Sequence, residues 1–535
     1  MSNSCLSRWL ILAGVLLSQL ATAAPSEQEV RDTMKRATQF MVDKVSYRGG
    51  YVWSYLPDFS RQWGELEANR SMIWLQPPGT ATVGHVFLDA YKATGDEYYY
   101  QAAEQVAGAI IWAQHPSGGW NYLADFAGEA SLKHWYATVG KNAWRLEEFH
   151  HYYGNATFDD GGTADAAKFL LRIYLEKLDP KYRPALYKAI DFVLDAQYPI
   201  GGWPQRFPLR YDYPQKTQPD YSSFITFNDD VAQENIEFLL MCYQTLGEQR
   251  VREPIQRAMY AFVLAQMGQP QPGWALQYTT DLQPAGARSY EPKSLSPQTT
   301  AENIRQLIGF YRMTGDSRFL ARIPEALAWL EKTRLPAAQI KEGRTHPTFV
   351  ELGTGKTLYT HRRGSNVVNG EYYVDYNPGN EVMHYRSTRF VDVEAVRREY
   401  EAVLELSAEE ATRDSPLKTT APIELPTYFT LKGLNLSDPN LRQLSGRGTA
   451  SLADWANQLV QGLNSEGYWP TPLAYQTHPY RGPAPAKQAH KPAGTLVGDE
   501  WDTSPFRVDN PPMGISTGVY IRNMAGLIEY LVQLN

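Results

Sequence analysis

The chain has 535 residues, 43% of them hydrophobic, 20% charged and 13% aromatic, with a formal net charge of −7. That is enough for a large core, and for one big domain or two to three ordinary ones. The acidic balance excludes a general affinity for nucleic acid, and a polyanionic substrate would need a local basic cleft or a bridging cation.

The first residues carry Arg8, an apolar run Trp9–Leu20 and the small-residue site Ala21-Thr22-Ala23. This pattern predicts a secretory signal over residues 1–23, export to the periplasm or beyond, and no membrane association once it is removed. Cleavage takes Arg8 and no acid, so the exported chain is one unit more negative. It also takes Cys5 and leaves Cys242 alone, so no internal disulfide is expected. Cys242 sits in the apolar run FLLMCYQTL and reads as a buried structural thiol.

Repetition dominates the rest of the chain. Apolar residues recur at helical spacing over Val83–Thr94, Tyr98–Gln114, Ala164–Leu178, Arg183–Gln197, Val231–Leu246, Glu253–Gln266, Ala301–Met313 and Phe319–Thr333. These runs come in pairs. The second run of a pair ends in Gln, then a Gly/Pro-rich turn and Trp: AQHPSGGW at Trp120, AQYPIGGW at Trp203, AQMGQPQPGW at Trp274. The first run opens with small or polar residues, as in GTATVG, GGTADAA, NDDVAQEN and SPQTTAEN. YWPTP and GISTGVYI echo both signals near the C-terminus. Helix pairs of this length predict a mainly α fold, an α/α toroid, with an open helical solenoid as the alternative. In a toroid the inner-helix starts converge on one face.

Residues Thr348–Tyr376 alternate apolar and polar with Gly at turns, which predicts a small antiparallel hairpin or sheet. Val391–Leu406 reads as a helix. Ser407–Gly446 and the Pro-rich Thr477–Val508 read as packed strapping. The expected division is residues 24–150 as N-terminal hairpins, 151–345 as the catalytic core of the ring, and 346–535 as the β segment with C-terminal helices and loops.

Five stretches can carry chemistry. TFDDGGTADAAKFLL (Thr157–Leu171) and TFNDDVAQENIEFLL (Thr226–Leu240) align without a gap and place Asp159, Asp160, Asp229 and Asp230 at two equivalent helix starts. Acids there cap free N–H groups and suit the helix dipole. Four of them in two equivalent places also suit a metal or substrate cation, with hard oxygen ligands favouring Ca²⁺. The loop ARSYEPKSLS holds Arg288 and Lys293 and reads either as a carboxylate cradle or as a solvated loop. HRRGS, with Arg362 and Arg363, reads as a carboxylate grip or a charged turn. The loop at 201–224 interleaves Trp203 and Tyr211 with Arg206 and Arg210, which fits an acidic sugar chain or a Pro-stiffened structural loop.

AQYPIGGWPQRFPLR, FITFNDD and ARSYEPKSLS, in this order, resemble the polysaccharide lyase family 10 pectate lyases. FDDGGT resembles that family's Asp-Asn-Gly-Ala-Thr signature, and FVELGTGKTLYTHRRG its hairpin segment. The resemblance covers about residues 155 to 376. It implies a partial α/α toroid that cleaves polygalacturonate by β-elimination with Ca²⁺. By motif match Asp159 and Asp229 would be the calcium acids with Asp160 and Asp230 beside them, Arg288 the base, and Arg362 or Arg363 a substrate-carboxylate ligand. Lys293, Arg206 and Trp203 are further candidate substrate contacts. Asp160 stands where the family has Asn, and Gly162 where it has Ala. The expected protein is thus an exported, monomeric, calcium-dependent pectate lyase acting on acidic polysaccharide. A glycoside hydrolase on the same toroid and a non-catalytic binder of acidic polysaccharide are the competing readings.

Overall fold

The computed structural model describes residues 24–143, 147–211, 220–363, 371–378, 387–418, 425–432, 446–476 and 510–534, with 438, 440, 441, 444, 506 and 507 between them. The signal segment 1–23 and most of the Pro-rich stretch 477–508 lie outside the described residues. The described helices are α1 (Glu27–Phe40), α2 (Thr80–Thr94), α3 (Glu97–Ala113), α4 (Glu129–Thr138), α5 (Gly162–Lys177), α6 (Arg183–Ala196) and α7 (Val231–Leu246). They continue with α8 (Arg252–Ala265), α9 (Pro297–Thr314), α10 (Ile323–Lys332), α11 (Val393–Leu404), α12 (Ala408–Ala411), α13 (Leu452–Gly462) and α14 (Thr517–Leu534).

The fold is an α/α toroid. Inner helices α14, α2, α5 and α7 pack side by side in that order. A hydrogen bond from the Gln306 side-chain amide to the Gln233 side-chain oxygen (2.6 Å) ties α9 to α7. Helices α1, α3, α6, α8, α10 and α13 lie outside them. The apolar periodicity finds the bodies of these helices and places α7 to the residue, but starts α2, α5 and α9 late. Helix α2 begins at Thr80 and α9 at Pro297, because the small polar openings are themselves helical and buried. At the outer end, α10 begins at Ile323, since Ser317–Phe319 forms its own 3₁₀ turn and Pro324 restarts the chain at the first helical turn.

The Gln–turn–Trp signal is a joint between hairpins. The indole N–H of Trp120, Trp203, Trp274 and Trp469 donates to a carbonyl in the last turn of the preceding outer helix, on Ile110, Val193, Phe262 and Leu459, each at 2.8 Å. The amide of Gln114 donates to Gly118 in its own turn (2.7 Å) and to Ala185 at the start of α6 (2.9 Å). Gln197 does the same to Gly201 (3.0 Å) and Pro254 of α8 (2.9 Å). Gln266 bonds Pro272 and Arg322, the residue before α10, both at 3.1 Å. One side chain thus bridges its own turn and a carbonyl at the start of the next outer helix. Facing the joint, a threonine at an inner-helix start takes the backbone N–H of the Trp: Thr163 for Trp120 and Thr300 for Trp274, each at 3.0 Å.

Inside the ring, residues 425–432 form a strap on the inner helices. Asp89 of α2 accepts the backbone N–H of Phe429 (3.0 Å) and Thr430 (2.7 Å), and pairs with Arg172 of α5. The Phe429 ring stacks on His85 at 5.0 Å, and the Arg172 guanidinium lies over it at 4.4 Å. The expected β segment is a four-stranded antiparallel sheet ordered Ser294–Leu295, Phe349–Glu351, Thr357–Arg363, Glu371–Asp375. Its third strand places Thr360, whose hydroxyl donates to the Tyr290 carbonyl at 3.3 Å, against the loop that carries Arg288. A single cluster of buried apolar side chains runs from Val30 to Leu531, and Cys242 lies within it. Among the described residues no helix is long and apolar enough to cross a membrane.

The turn glycines set how closely hairpins approach. Gly201 has φ of 105°, and a Cβ there would stand 2.1 Å from the Arg257 carbonyl oxygen on α8. Gly268 is exposed, and a Cβ there would meet nothing within 4 Å. Gly201→Ala is therefore expected to cost more than about 3 kcal/mol, and Gly268→Ala less than about 1. Denaturant unfolding checks this, and equal midpoints for the two variants would contradict the joint.

Candidate active site and cation centre

Short strand pairs bring the two acidic turns together. The Thr157 N–H donates to the Trp120 carbonyl (2.8 Å), and that of Phe158 to the Gln205 carbonyl (2.8 Å). In the next repeat Thr226 donates to Trp203 (3.0 Å) and Phe227 to Leu276 (2.9 Å). Each Thr-Phe segment is therefore clamped between two consecutive Trp turns, and the chain runs into α5 and α7 side by side. Just before each of these helices it turns left-handed over two residues: Asp160 (φ 51°) and Gly161 (70°), then Asp229 (51°) and Asp230 (56°). The sequence echo is an echo of backbone shape. Asp tolerates this region better than most side chains, at a modest cost.

The turns bring Asp159, Asp160 and Asp229 together, with one carboxylate oxygen of each within 4.8 Å of the others. Two full charges at that distance repel by about 3 kcal/mol at an effective dielectric near 20. The cluster therefore needs protons, cations or both. Asp159 is fully buried; its Oδ2 accepts from the Tyr122 hydroxyl and from Arg288 Nη2 (2.6 Å). Its Oδ1 is buried with no hydrogen-bond partner. An orphaned carboxylate oxygen beside two more acids fits a hard divalent cation such as Ca²⁺. Asp230 is not in this group. It is exposed, and its charged neighbours include Lys168, Glu237 and Glu302.

Arg288 is 3% exposed and lies among four carboxylates. Nε donates to Glu148 (3.1 Å), Nη1 to Glu291 (3.0 Å) and Nη2 to Asp159, while Asp229 stands 3.6 Å from Nη1. The guanidinium also lies 5.6 Å from the Tyr221 ring centroid. Burial alone would weaken its hold on the proton, but the charges of Glu291, Glu148 and Asp159 outweigh that and raise its pKa well above the usual value. Glu147 takes the Ser289 backbone N–H on both oxygens (3.1 and 3.0 Å), so Glu147 and Glu148 grip consecutive residues. Burial pushes the Glu147 carboxyl up to about 8. Glu65 is raised to about 7, by burial first and then by the charge of Glu148. Burial, then the charge of Asp159, raises Asp160 and Asp229 well above the carboxylate range.

Two of three expected substrate contacts are corrected. Trp203 is fully buried, with its indole bonded into the hairpin joint, so its ring offers no face to a sugar. Arg206 is 1% exposed. Its guanidinium lies over the Tyr122 and Tyr153 rings at 5.1 and 4.6 Å, where it braces the floor of the site. Lys293, the third of these, is exposed, and the groups that hydrogen-bond to the Arg288 guanidinium are all carboxylates. Arg362 and Arg363 pair through their backbones with Tyr372 and Glu371, and their side chains lie outside the described residues. Sequence reasoning missed Glu65, Gln76, Tyr122, Glu147, Glu148 and Tyr221, and gave Glu291 no role. One signal was present: Gln205 and Gln277 follow a turn Trp by two or three places, and Gln76 follows Trp74 by two. The pair Glu147-Glu148 sits in WRLEEFH, which has no repeat partner.

A family model described as pectic acid lyase matches residues 131–379. No curated protein matches the chain. Among solved structures, the family 10 polysaccharide lyase from Cellvibrio cellulosa is similar at 19% identity, over 61% of this chain and 98% of that one, with a TM-score of 0.41. A mutant of that lyase in complex with trigalaturonic acid gives 19% identity, coverage of 60% and 96%, and a TM-score of 0.36. A family 76 glycoside hydrolase from a bovine Bacteroides thetaiotaomicron strain gives 9% identity, coverage of 95% and 78%, and a TM-score of 0.40.

The raised carboxyls set a pH dependence of stability. A carboxyl whose folded pKa lies above its unfolded value binds more protons folded than unfolded between the two values, so stability falls as pH rises through that window. For Glu65 and Glu147 the window runs from the ordinary carboxylate range, about 4.3, to about 7 and about 8. Without divalent cations the melting temperature is expected to fall between pH 5 and pH 8, and millimolar calcium to recover part of the loss. A melting temperature that rises across this range in chelator would contradict the buried acid cluster.

Proposed function

We propose that the chain is an exported calcium-dependent pectate lyase that cleaves polygalacturonate by β-elimination. The observation that carries this reading is the meeting of Asp159, Asp160 and Asp229 beside the buried Arg288. The pectic acid lyase match over residues 131–379 supports it.

Elimination removes the C5–H of a uronate, breaks the C4–O bond and leaves an unsaturated end. Asp159, Asp160 and Asp229 are the residues that would hold Ca²⁺. A bound Ca²⁺ would neutralise the uronate carboxylate and acidify the neighbouring C5–H. Asp159 fixes Arg288 by one ion pair, and Glu148 and Glu291 fix it by two more, so the guanidinium has one allowed place. Arg288 is the proposed base. Surrounded by carboxylates it holds its proton, and it accepts another group's proton only where that negative charge is offset and the medium is alkaline. Arg362 and Arg363, at the end of the third strand of the sheet, are proposed to take a substrate carboxylate. The second reading, a glycoside hydrolase, has one observation in its favour. Glu65 is half-buried beside Asp160 with its carboxyl raised to about 7, which suits a general acid.

Incubation with polygalacturonate separates these readings. A lyase gives ultraviolet absorbance that chelator abolishes, whereas a hydrolase gives reducing ends without it. Arg288→Lys is expected to lower turnover at least ~100-fold while calcium-dependent binding of the polymer remains. Activity should climb toward alkaline pH, and a maximum near pH 5 would remove Arg288 as the base.

A further inference from the structure

We propose that Glu65 is a fourth carboxylate of the cation site, held there by Gln76. This rests on reading Asp159, Asp160 and Asp229 as cation ligands. Glu65 and Gln76 lie outside the matched segment 131–379, so the N-terminal part of the chain completes a site begun elsewhere.

The placement follows from the chemistry of one amide. Gln76 is 1% exposed. Its Oε1 accepts the Trp74 indole N–H at 2.9 Å, and an indole N–H only donates, so the amide orientation is fixed. Its Nε2 must then face the acids, and it donates to Asp160 Oδ2 at 2.8 Å and to Glu65 Oε2 at 3.0 Å. The main chain of Gln76 is anchored as well, since its carbonyl accepts the Trp53 indole N–H at 3.0 Å. Two carboxylates are thus held within reach of a single amide nitrogen. The amide is neutral and cannot offset their charge, and the Gln76 oxygen faces the Trp74 indole instead of the acids.

The independent sign of a ligand is Asp159 Oδ1, buried in the same cluster with no donor. A hard cation satisfies such an oxygen. Calcium takes six to eight oxygens in flexible geometry, and its affinity follows ligand charge count. Three acids alone leave that shell incomplete. Glu65 is the carboxylate that the fixed amide holds beside Asp160, and it is half-buried where Asp159 is fully buried.

The test is calorimetric titration of the full chain with Ca²⁺ at fixed ionic strength, together with Glu65→Gln, Glu65→Asp and Glu394→Gln. Glu394 is an exposed acid on α11 and controls for net charge. Expected are calcium binding by the parent chain, at least ~10-fold weaker binding by Glu65→Gln, and binding within twofold of the parent for Glu394→Gln. Glu65→Asp keeps the charge on a shorter arm and should fall between. If Glu65→Gln binds within twofold of the parent, the proposal is overturned. If Glu65→Gln fails to fold by circular dichroism, unchanged affinity in Glu65→Asp overturns it instead. If the parent chain binds no calcium, the cation reading of the three aspartates itself fails, a result distinct from the first.

Discussion

One buried guanidinium among too many carboxylates is the constraint on which the site depends. Arg288 is nearly inaccessible and donates to Glu148, Asp159 and Glu291, with Asp229 just beyond. A buried charge without a partner costs several kcal/mol, so each acid is held in place by the arginine as firmly as it holds the arginine. The balance is nevertheless uneven, because Asp160, Glu65 and Glu147 bring further negative charge. Burial and the neighbouring charges raise these carboxyls, which favours their protonated forms and offsets part of the excess. A divalent cation would meet it better, and the orphaned oxygen of Asp159 marks where. Site chemistry and folding stability are therefore linked through the same charges.

The toroid brings these charges together. Each hairpin contributes a Trp joint, a short strand and an inner-helix start, and the Gln of one joint reaches the outer helix of the next. Repetition of a single local solution fixes the spacing of the helix starts without any long loop having to find its partner. The left-handed turns at Asp160 and Asp229 then aim the acids inward from equivalent frames. Arg288 arrives from the third such joint, after Trp274, and Glu147 and Glu148 from the stretch between Trp120 and α5. Segments from separate repeats meet at one point, which is what a ring can do and a single hairpin cannot.

The periodic parts of this design were legible in the sequence. Helix pairs, Trp turns, the acidic echo and the β segment all come from residue patterns that fold locally. The aromatic richness that suggested sugar faces is largely structural: Trp120, Trp203, Trp274 and Trp469 are joints, and Arg206 is a brace between tyrosines. Contact between segments far apart in the chain stayed hidden. Glu148 meets Arg288 across 140 positions and Gln76 meets Asp160 across 84, and neither spacing leaves a local trace. The echo also misled in one respect. Asp159 aligns with Asn228 and Asp160 with Asp229, so Asp230 has Gly161 as its counterpart and faces Lys168 instead of the cluster.

That difference between neighbouring aspartates gives the most direct test of the cation centre. Calcium binding should be measured by calorimetry on Asp159→Asn, Asp229→Asn and Asp230→Asn, each checked for an unchanged circular dichroism spectrum. The account predicts that the first two lose binding, by at least ~10-fold in affinity, and that Asp230→Asn keeps it within about twofold. Loss of binding in Asp230→Asn, with Asp159→Asn or Asp229→Asn unaffected, would contradict it.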